Sequence, residues 1–410
     1  MGKIPLAEVN QIAVLGAGKA GAGMAAAFEQ ALGDEVLQQK VFGWVNVPAD
    51  CVRPLQKIHL HPARPEGMNE PTQSGVDGAR KILEYASKLG EDDVCVILLS
   101  GGGSAMLPAP VPQISLDDKQ AVTRFLMHSG ATIDELNCVR KQLSLVKGGR
   151  LARATRAGRV FTLIISDVVG DPLEIIASGP TVADSSTAAD ALNVLNQYAK
   201  MPSDVPQPVW DYLVETAQNA KPSAPIPATV VNTIIGNNAM ALTAAAARAK
   251  QLGYRVHSLG SENRGEARAE GRELAKLCTS IRDEGRPCRP AVCILSGGEP
   301  VVRLAKTDQP RKGGRNQELV LAALEQLWDD GMKRLVLLSG GTDGEDGPTD
   351  AAGAVADAEI LKSARSQQLI PAEYLAINNS YAFFEQSGGL LKTGPTHTNV
   401  MDVRVALIAD

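Results

Sequence analysis

Aromatic residues are scarce in this 410-residue chain, where Phe, Trp and Tyr together make up 4%. Ala, Val, Leu and Gly must carry the core instead. That suits strand–helix–strand units in which small residues let helices approach a sheet. No apolar run approaches membrane-spanning length; the longest are short strand cores. Cysteine is used thinly, at Cys51, Cys95, Cys138, Cys278, Cys288 and Cys293, with no CxxC pair and none beside a His at metal-ligand spacing. Scattered thiols without a signal peptide point to the reducing cytoplasm. Cys95 and Cys293 fall inside apolar runs and read as buried. Positive charge is not in excess: the formal net charge is −5. Nucleic acid is thereby disfavoured as the main partner, although a small anion needs only a few cations in one cleft. No Gly-x-Ser-x-Gly elbow occurs and the five histidines are isolated, so a hydrolase reading is poor.

What is present is alternation. Hydrophobic residues make up 44% of the chain, and its length exceeds what one core usually serves, so two domains are expected. Apolar runs Ile12–Leu15, Val41–Val47, Val94–Leu99, Val160–Ile165, Val230–Ile235, Val292–Leu295, Leu335–Leu338 and Val403–Ile408 alternate with Ala-rich helical stretches. This pattern predicts an α/β fold of two α/β domains, the first with a largely parallel sheet. Residues 200–228 are rich in Pro, Ser and Ala around one short helix, Val209–Gln218, and read as a linker. The boundary is set near 225, giving domains 1–225 and 226–410, the second opening on the strand 228–236. Ser-Gly-Gly closes a strand core three times, within 98–102, 295–298 and 337–341. At the carboxyl ends of parallel strands such turns expose backbone N–H groups to a ligand; the plainer reading is that Gly makes tight turns.

Six motifs carry candidate chemistry. Gly16, Gly18 and Gly21 satisfy GxGxxG after the first strand, yet the next strand ends in Val47-Pro48-Ala49, without the acid that would hold a ribose. Lys19 sits inside that loop at the positive end of a helix, where a cation makes sense near an anion; the alternative is a solvated lysine. Gly101, Gly102, Gly103 and Ser104 form a loop able to cradle a phosphate or carboxylate, although it is no Walker loop and Ser104 would equally serve as a helix cap. Arg140, Lys141, Lys147 and Arg150 form a basic stretch, with residues 140 and 147 on one helix face if the helix continues, facing either an anion or solvent. Asp167 follows a strand and Asp171 a glycine turn, with Glu174 beyond; each suits Mg²⁺ beside phosphates or a turn cap. Arg315 stands at a helix N-terminus, which the helix dipole disfavours unless an anion lies opposite. Asp343, Glu345, Asp346 and Asp350 crowd one glycine-rich loop.

Together GAGKA at 16–20, LLSGGGSA at 98–105, NCVRKQLSLVKGG at 137–149, ISDVVGDPLEIIASGPTVAD at 165–184, GGRNQEL at 313–319, GGTDGEDGPTDAAGA at 340–354 and TGPTHTNVMDV at 393–403 resemble the class II glycerate 2-kinases, which end in a MOFRL domain. The resemblance runs over nearly the whole chain. It implies a Rossmann-like N-terminal domain, a distinct C-terminal α/β domain with the MOFRL region at about 290–408, and an active site in the cleft between. It implies ATP- and Mg²⁺-dependent phosphorylation of D-glycerate, with the family's lysine on Lys19 and its arginine on Arg315. In that scheme Lys19, Arg315 and Asp343 are catalytic and Gly101–Ser104 hold phosphates. Arg140 and Lys147 hold substrate, and Asp167 and Asp346 hold the metal. Gln142, Asn379 and His397 depart from the family pattern. An NAD(P)H-dependent hydroxypyruvate reductase and a non-catalytic organic-acid binder are the alternatives. Expected partners are small molecules, not nucleic acid or membrane, with room for a homodimer.

Overall fold

The apolar runs become strands, and the strands sort into two sheets. In the computed structural model, which describes residues 5–68, 70–219, 225–227 and 229–410, two units are distinguished. One takes in the chain up to Ser166 with Asp171–Ile235; the other takes in Asp167–Gly170 with Gly236–Asp410.

The first unit holds β1 (Ile12–Ala17), β2 (Val41–Pro48), β3 (Ile58–Arg64), β4 (Val94–Leu99), β5 (Arg159–Ile165) and β6 (Val230–Gly236), in the spatial order β3-β2-β1-β4-β5-β6. Pairings β2/β3, β1/β2, β1/β4 and β4/β5 are parallel. Strands β1 and β4 are buried at every residue, as the middle of a sheet covered on both faces requires. The strand order reverses between β1 and β4, which makes the crevice beyond their carboxyl ends the natural ligand position. Capping boxes Ser115/Asp118, Thr132/Glu135 and Thr187/Asp190 start helices Leu116–His128, Ile133–Gln142 and Ala188–Tyr198. Val122, Leu126, Val139, Ala191 and Leu195 from these helices share one core.

Two expectations fail here. The stretch 200–228 is no simple linker: helix Gln207–Gln218 buries Val209 and Leu213 in that same core. Residues 220–224 and 228 lie outside the described set. The strand expected to open the second domain is β6, the edge strand beside β5 in the first sheet. The boundary therefore falls near 235 rather than 225. A run of Pro before a strand marks a surface excursion as readily as a domain border.

The second unit holds β7 (Arg255–Ser258), β8 (Val292–Gly298), β9 (Leu335–Gly341), β10 (Gly353–Ala356), β11 (Leu390–Leu391) and β12 (Asp402–Ile408), ordered β11-β10-β9-β12-β8-β7. Its sheet is mixed. Only β7/β8 is parallel among the pairings of the described residues, and β12 runs antiparallel to both β8 and β9. Helix Arg315–Gln326 is buried from Asn316 to Leu324 and forms the centre of this unit's core. It lies tight against helix Ala267–Thr279, where a Cβ on Gly271 would stand 2.1 Å from the Leu319 carbonyl oxygen.

The second and third Ser-Gly-Gly copies are not ligand turns beyond a parallel sheet. Ser296 and Ser339 lie within β8 and β9, both opposite Arg404 of β12, and Gly298 and Gly341 both face Asp402. Glycine makes room there: a Cβ on Gly297 would stand 1.7 Å from Asn238 Oδ1. Among the described residues, no helix is long and apolar enough to cross a membrane.

Candidate active site

At the β1/β4 switch point the two glycine loops interlock. Lys19 N donates to the Gly101 carbonyl at 2.9 Å, and Ala20 N donates to Ser100 Oγ at 3.0 Å. The first of the two loops leaves no room at its glycines: a Cβ on Gly16 would meet the Leu98 oxygen at 2.1 Å, and one on Gly18 would meet Ser100 Oγ at 2.1 Å. Gly102 is left-handed, at φ 75°. A Cβ there would lie 3.4 Å from Arg64 Nη2 and 3.7 Å from Lys19 Cγ. Two cationic side chains thus flank the GGGS loop. Arg64, at the end of β3, was not singled out from sequence, because nothing in IHLHPAR marks its last residue.

Ser104 is the hub of the loop's far side. Its Oγ accepts from Arg140 Nη2 at 2.6 Å and from Lys147 Nζ at 2.6 Å, and Lys147 also reaches the Ser104 carbonyl at 3.1 Å. With both lone pairs of Ser104 Oγ taken, its proton must go to Ser178 Oγ, 3.1 Å away. Ser178 in turn donates to Asn137 Oδ1 at 3.1 Å. The phosphate-loop residues and the basic stretch, read as separate motifs in the sequence, therefore converge on one hydroxyl. Ser178 is held there by three successive residues at positive φ: Ala177 at 51°, Ser178 at 61° and Gly179 at 61°. Two of these are not glycine, and such strain is seldom kept without a use.

The hub is rich in positive charge. Lys147 is 1% exposed, and burial followed by the neighbouring Arg140, Lys119 and Lys141 holds its pKa well below the ordinary lysine range. Burial lowers Arg140 as well. Among the described residues no carboxylate accepts a hydrogen bond from either; Asp184 is taken by Lys141 at 3.3 Å. Gln142 lies beside that pair and donates to the Ser186 carbonyl at 2.9 Å, a structural contact. Arg150 caps the chain, donating to the carbonyls of Lys141 and Ser144.

In the second unit the anion demanded by Arg315 is the chain's own. Arg315 Nε and Nη2 grip Asp402 at 2.7 and 2.9 Å, and Nη1 meets Glu299 at 3.0 Å. Burial opposes its charge, but Asp402 and Glu299 outweigh burial and raise its pKa. The electrostatic argument for a ligand opposite Arg315 thus has an internal answer. Arg315 nonetheless lines a cavity of about 670 Å³ with Pro300, Val302, Leu304, Arg311 and Pro348.

Asp346 is a helix cap. Its carboxylate accepts from Asn316 N at 3.0 Å and Gln317 N at 2.8 Å, the unsatisfied donors of helix Arg315–Gln326. Both of its oxygens thus hold the start of this helix. Burial, partly offset by those N–H groups, lifts its pKa to about 6. Asp343 sits on the turn after β9, where its Oδ1 accepts from Glu345 N at 3.2 Å. Asp167 lies two residues past β5. Among the described residues no group of three metal-ligating side chains includes Asp167 or Asp346.

Comparison with known proteins locates this geometry. Residues 1–214 match the Domain of unknown function DUF4147 and residues 292–402 match the MOFRL family. The chain is 38% identical to glycerate kinase of Rattus norvegicus, covering 96% of this chain and 83% of that protein. It is 36% identical to D-glycerate 2-kinase of Thermotoga maritima, over 99% of this chain and 92% of that protein. The crystal structure of the Thermotoga maritima glycerate kinase superposes with a TM-score of 0.86 over 98% of this chain and 92% of that one. The chain belongs to the class II glycerate 2-kinase family. A DUF4147 region and a MOFRL region follow in order, and the first contains β1–β5 and the whole Ser104 hub. The MOFRL region runs from β8 to the first residue of β12 and contains Arg315, Asp343, Asp346 and Asp402. A 40% identical relative from Agrobacterium vitis carries a hydroxypyruvate reductase name, so one glycerate 2-kinase family spans two labels.

Proposed function

We propose that the protein transfers the γ-phosphoryl group of ATP, taken as its magnesium complex, to the 2-hydroxyl of D-glycerate. The observation that carries this reading is the convergence of Arg140 and Lys147 on Ser104 of the GGGS loop, with Lys19 against the same loop's other side. Phosphoryl transfer asks a protein mainly to position anions and to stabilise charge on the transferring group. Gly101–Ser104 with Arg140 and Lys147 form an anion site. Lys19, on the interlocked loop, neutralises charge that builds during transfer. Asp343 accepts the proton of the attacking hydroxyl. Asp167 is the carboxylate favoured for the magnesium of the nucleotide complex, because Asp346 already accepts from the N–H groups that start its helix. Arg315, fixed by Asp402, keeps its charge for the acceptor's carboxylate at the cavity wall, with Glu299 as the exposed partner that gives way.

The hydroxypyruvate reductase reading draws on the relative's name and on the first glycine loop. Against it, the end of β2 offers Asn46, which is buried and donates to the Met106 carbonyl at 2.7 Å, where a dinucleotide site would place an acid for the ribose. The test is ADP release with D-glycerate and Mg-ATP, run beside NADH oxidation by hydroxypyruvate without ATP. Glycerate-dependent ADP release without NADH turnover supports the kinase, and phosphorus NMR of the product gives the position phosphorylated. NADH turnover without ADP release overturns it.

A further inference from the structure

Lys119 lies in helix Leu116–His128, in a stretch whose other polar residues are open to solvent or half-buried, yet it is 4% exposed. Its Nζ has no hydrogen-bond partner. Ammonium groups are not left this way in protein interiors without a cause, because an unmade bond to a charged donor is expensive. The charged groups around it are of one sign. Arg140 from helix Ile133–Gln142, Arg150 from helix Arg150–Ala154 and Lys147 from the loop between them all act on it or feel it electrostatically. Asp184, the acid of this neighbourhood, is paired with Lys141. Arg140 and Lys147 each donate to Ser104. The cluster is thus a set of buried cations whose one nearby acid is paired with Lys141, and the ammonium of Lys119 has no hydrogen-bond partner.

We propose that Lys119 is a third cation of the Ser104 anion site, charged when an anion occupies it, so that anion binding takes up a proton. This rests on the reading of the hub as a site for an anionic ligand. In the empty site burial and the like charges of Arg140 and Arg150 bring the Lys119 pKa down to about 7. An arriving negative charge cancels that repulsion and raises it again. Below pH 7 Lys119 is already protonated and binding needs no proton; above pH 7 each occupied site draws one from solution. Affinity therefore falls about tenfold per pH unit above 7 until the bound-state pKa is passed. Lys119 acts as a positioning and charge-balancing residue; the reacting atoms belong to other side chains.

The chemistry recognised is a small oxyanion, which here has two sources: the carboxylate of the acceptor or the phosphates of the nucleotide. Titration calorimetry with D-glycerate alone, and with Mg-bound non-hydrolysable ATP analogue alone, separates them. Each titration is run at pH 6, 7, 8 and 9 in two buffers of different ionisation enthalpy, so that proton uptake is counted directly. For one ligand, uptake should rise from near zero at pH 6 towards one at pH 8, with weakening of about fivefold from pH 7 to pH 8 and about tenfold from pH 8 to pH 9. Lys119→Met should bind that ligand at least tenfold more weakly at pH 6 and lose the pH dependence. Lys119→Arg, which stays charged throughout, should retain binding at pH 6 and keep it level to pH 9. A buried residue that only supports the fold would not give a variant with intact affinity but no proton linkage. Proton uptake by Lys119→Met equal to that of the unmodified protein, or no uptake with either ligand, overturns the proposal. If ADP release proceeds while binding is pH-independent, only this inference fails; if proton-linked binding is seen without glycerate turnover, only the kinase reading fails.

Discussion

Replacing Lys119 by Met should make the protein more stable, and by an amount that depends on pH. The ordinary lysine pKa is 10.5 and that of Lys119 in the folded chain is about 7. At about 1.4 kcal/mol per pH unit the gap corresponds to about 5 kcal/mol. The sign follows from linkage. A base whose folded pKa is depressed is protonated more readily in the unfolded chain, so the unfolded state binds the extra proton between pH 7 and 10.5. Folding stability therefore rises with pH across that window. Below pH 7 the full penalty applies, and above pH 10.5 it is gone. Met removes the charge while filling similar volume, so Lys119→Met should gain up to about 5 kcal/mol at pH 6, with local relaxation reducing the figure, and progressively less towards pH 10. Urea denaturation can isolate the first unit: in a Trp328→Phe background the fluorescence comes from Trp44 and Trp210, both in that unit. A gain that shrinks with pH fits the reasoning. A Met variant equally stable or less stable at pH 6, with no pH trend in the difference, would refute it.

Ser104→Ala removes the shared acceptor of two buried cations and should cost about 2–4 kcal/mol in stability, with turnover falling at least a hundredfold; near-normal activity in a coupled ADP assay removes Ser104 from the site. Lys19→Ala should lower turnover by about a hundredfold or more with the denaturation midpoint unchanged, since charge stabilisation of the transferring group is lost and no core is disturbed. Arg315→Lys should behave almost as poorly as Arg315→Ala, because a point charge cannot reproduce the two-toothed grip on Asp402; the assay is the turnover ratio of the two variants. Asp346→Ala should lose about 0.5–2 kcal/mol of stability, as a lost helix cap does, while the Mg²⁺ concentration for half-maximal turnover stays put; a raised Mg²⁺ requirement would restore Asp346 as a metal ligand.

Much of the frame could be read from the sequence because its signals are local. Strands β1, β4 and β12 announce themselves as apolar runs, and the interlocked loops as clustered glycines. Strands β3 and β10 did not, because β3 alternates with His and carries Pro62, and β10 is a four-residue Gly-Ala-Val-Ala run. Lys19, Ser104, Arg140 and Lys147 were visible as motif residues. Their meeting on one hydroxyl was not, since a sequence gives no distance between 104 and 147. Lys119 stayed hidden for a related reason: behind the capping box of Ser115 and Asp118 it looks like one more solvated helix lysine, and only the packing of neighbouring helices buries it. Arg315 shows the converse. Its odd place at a helix start calls for an anion and suggests a ligand, but the anion the structure supplies is Asp402, 87 residues away in sequence.

The placement of β12 bears on how the second unit comes into being. Of the twelve strands among the described residues it is the last in sequence, yet it lies between β8 and β9 and pairs with both along all seven of its residues. Until it emerges, β8 and β9 have unpaired edges on the sides that face each other, and such edges invite pairing with other chains. Asp402, the anchor of Arg315, arrives on the same strand. A newborn chain therefore cannot assemble the Arg315 cavity wall ahead of its sheet, so partly made protein lacks a finished C-terminal site, and its window of greatest aggregation risk closes with the docking of one strand.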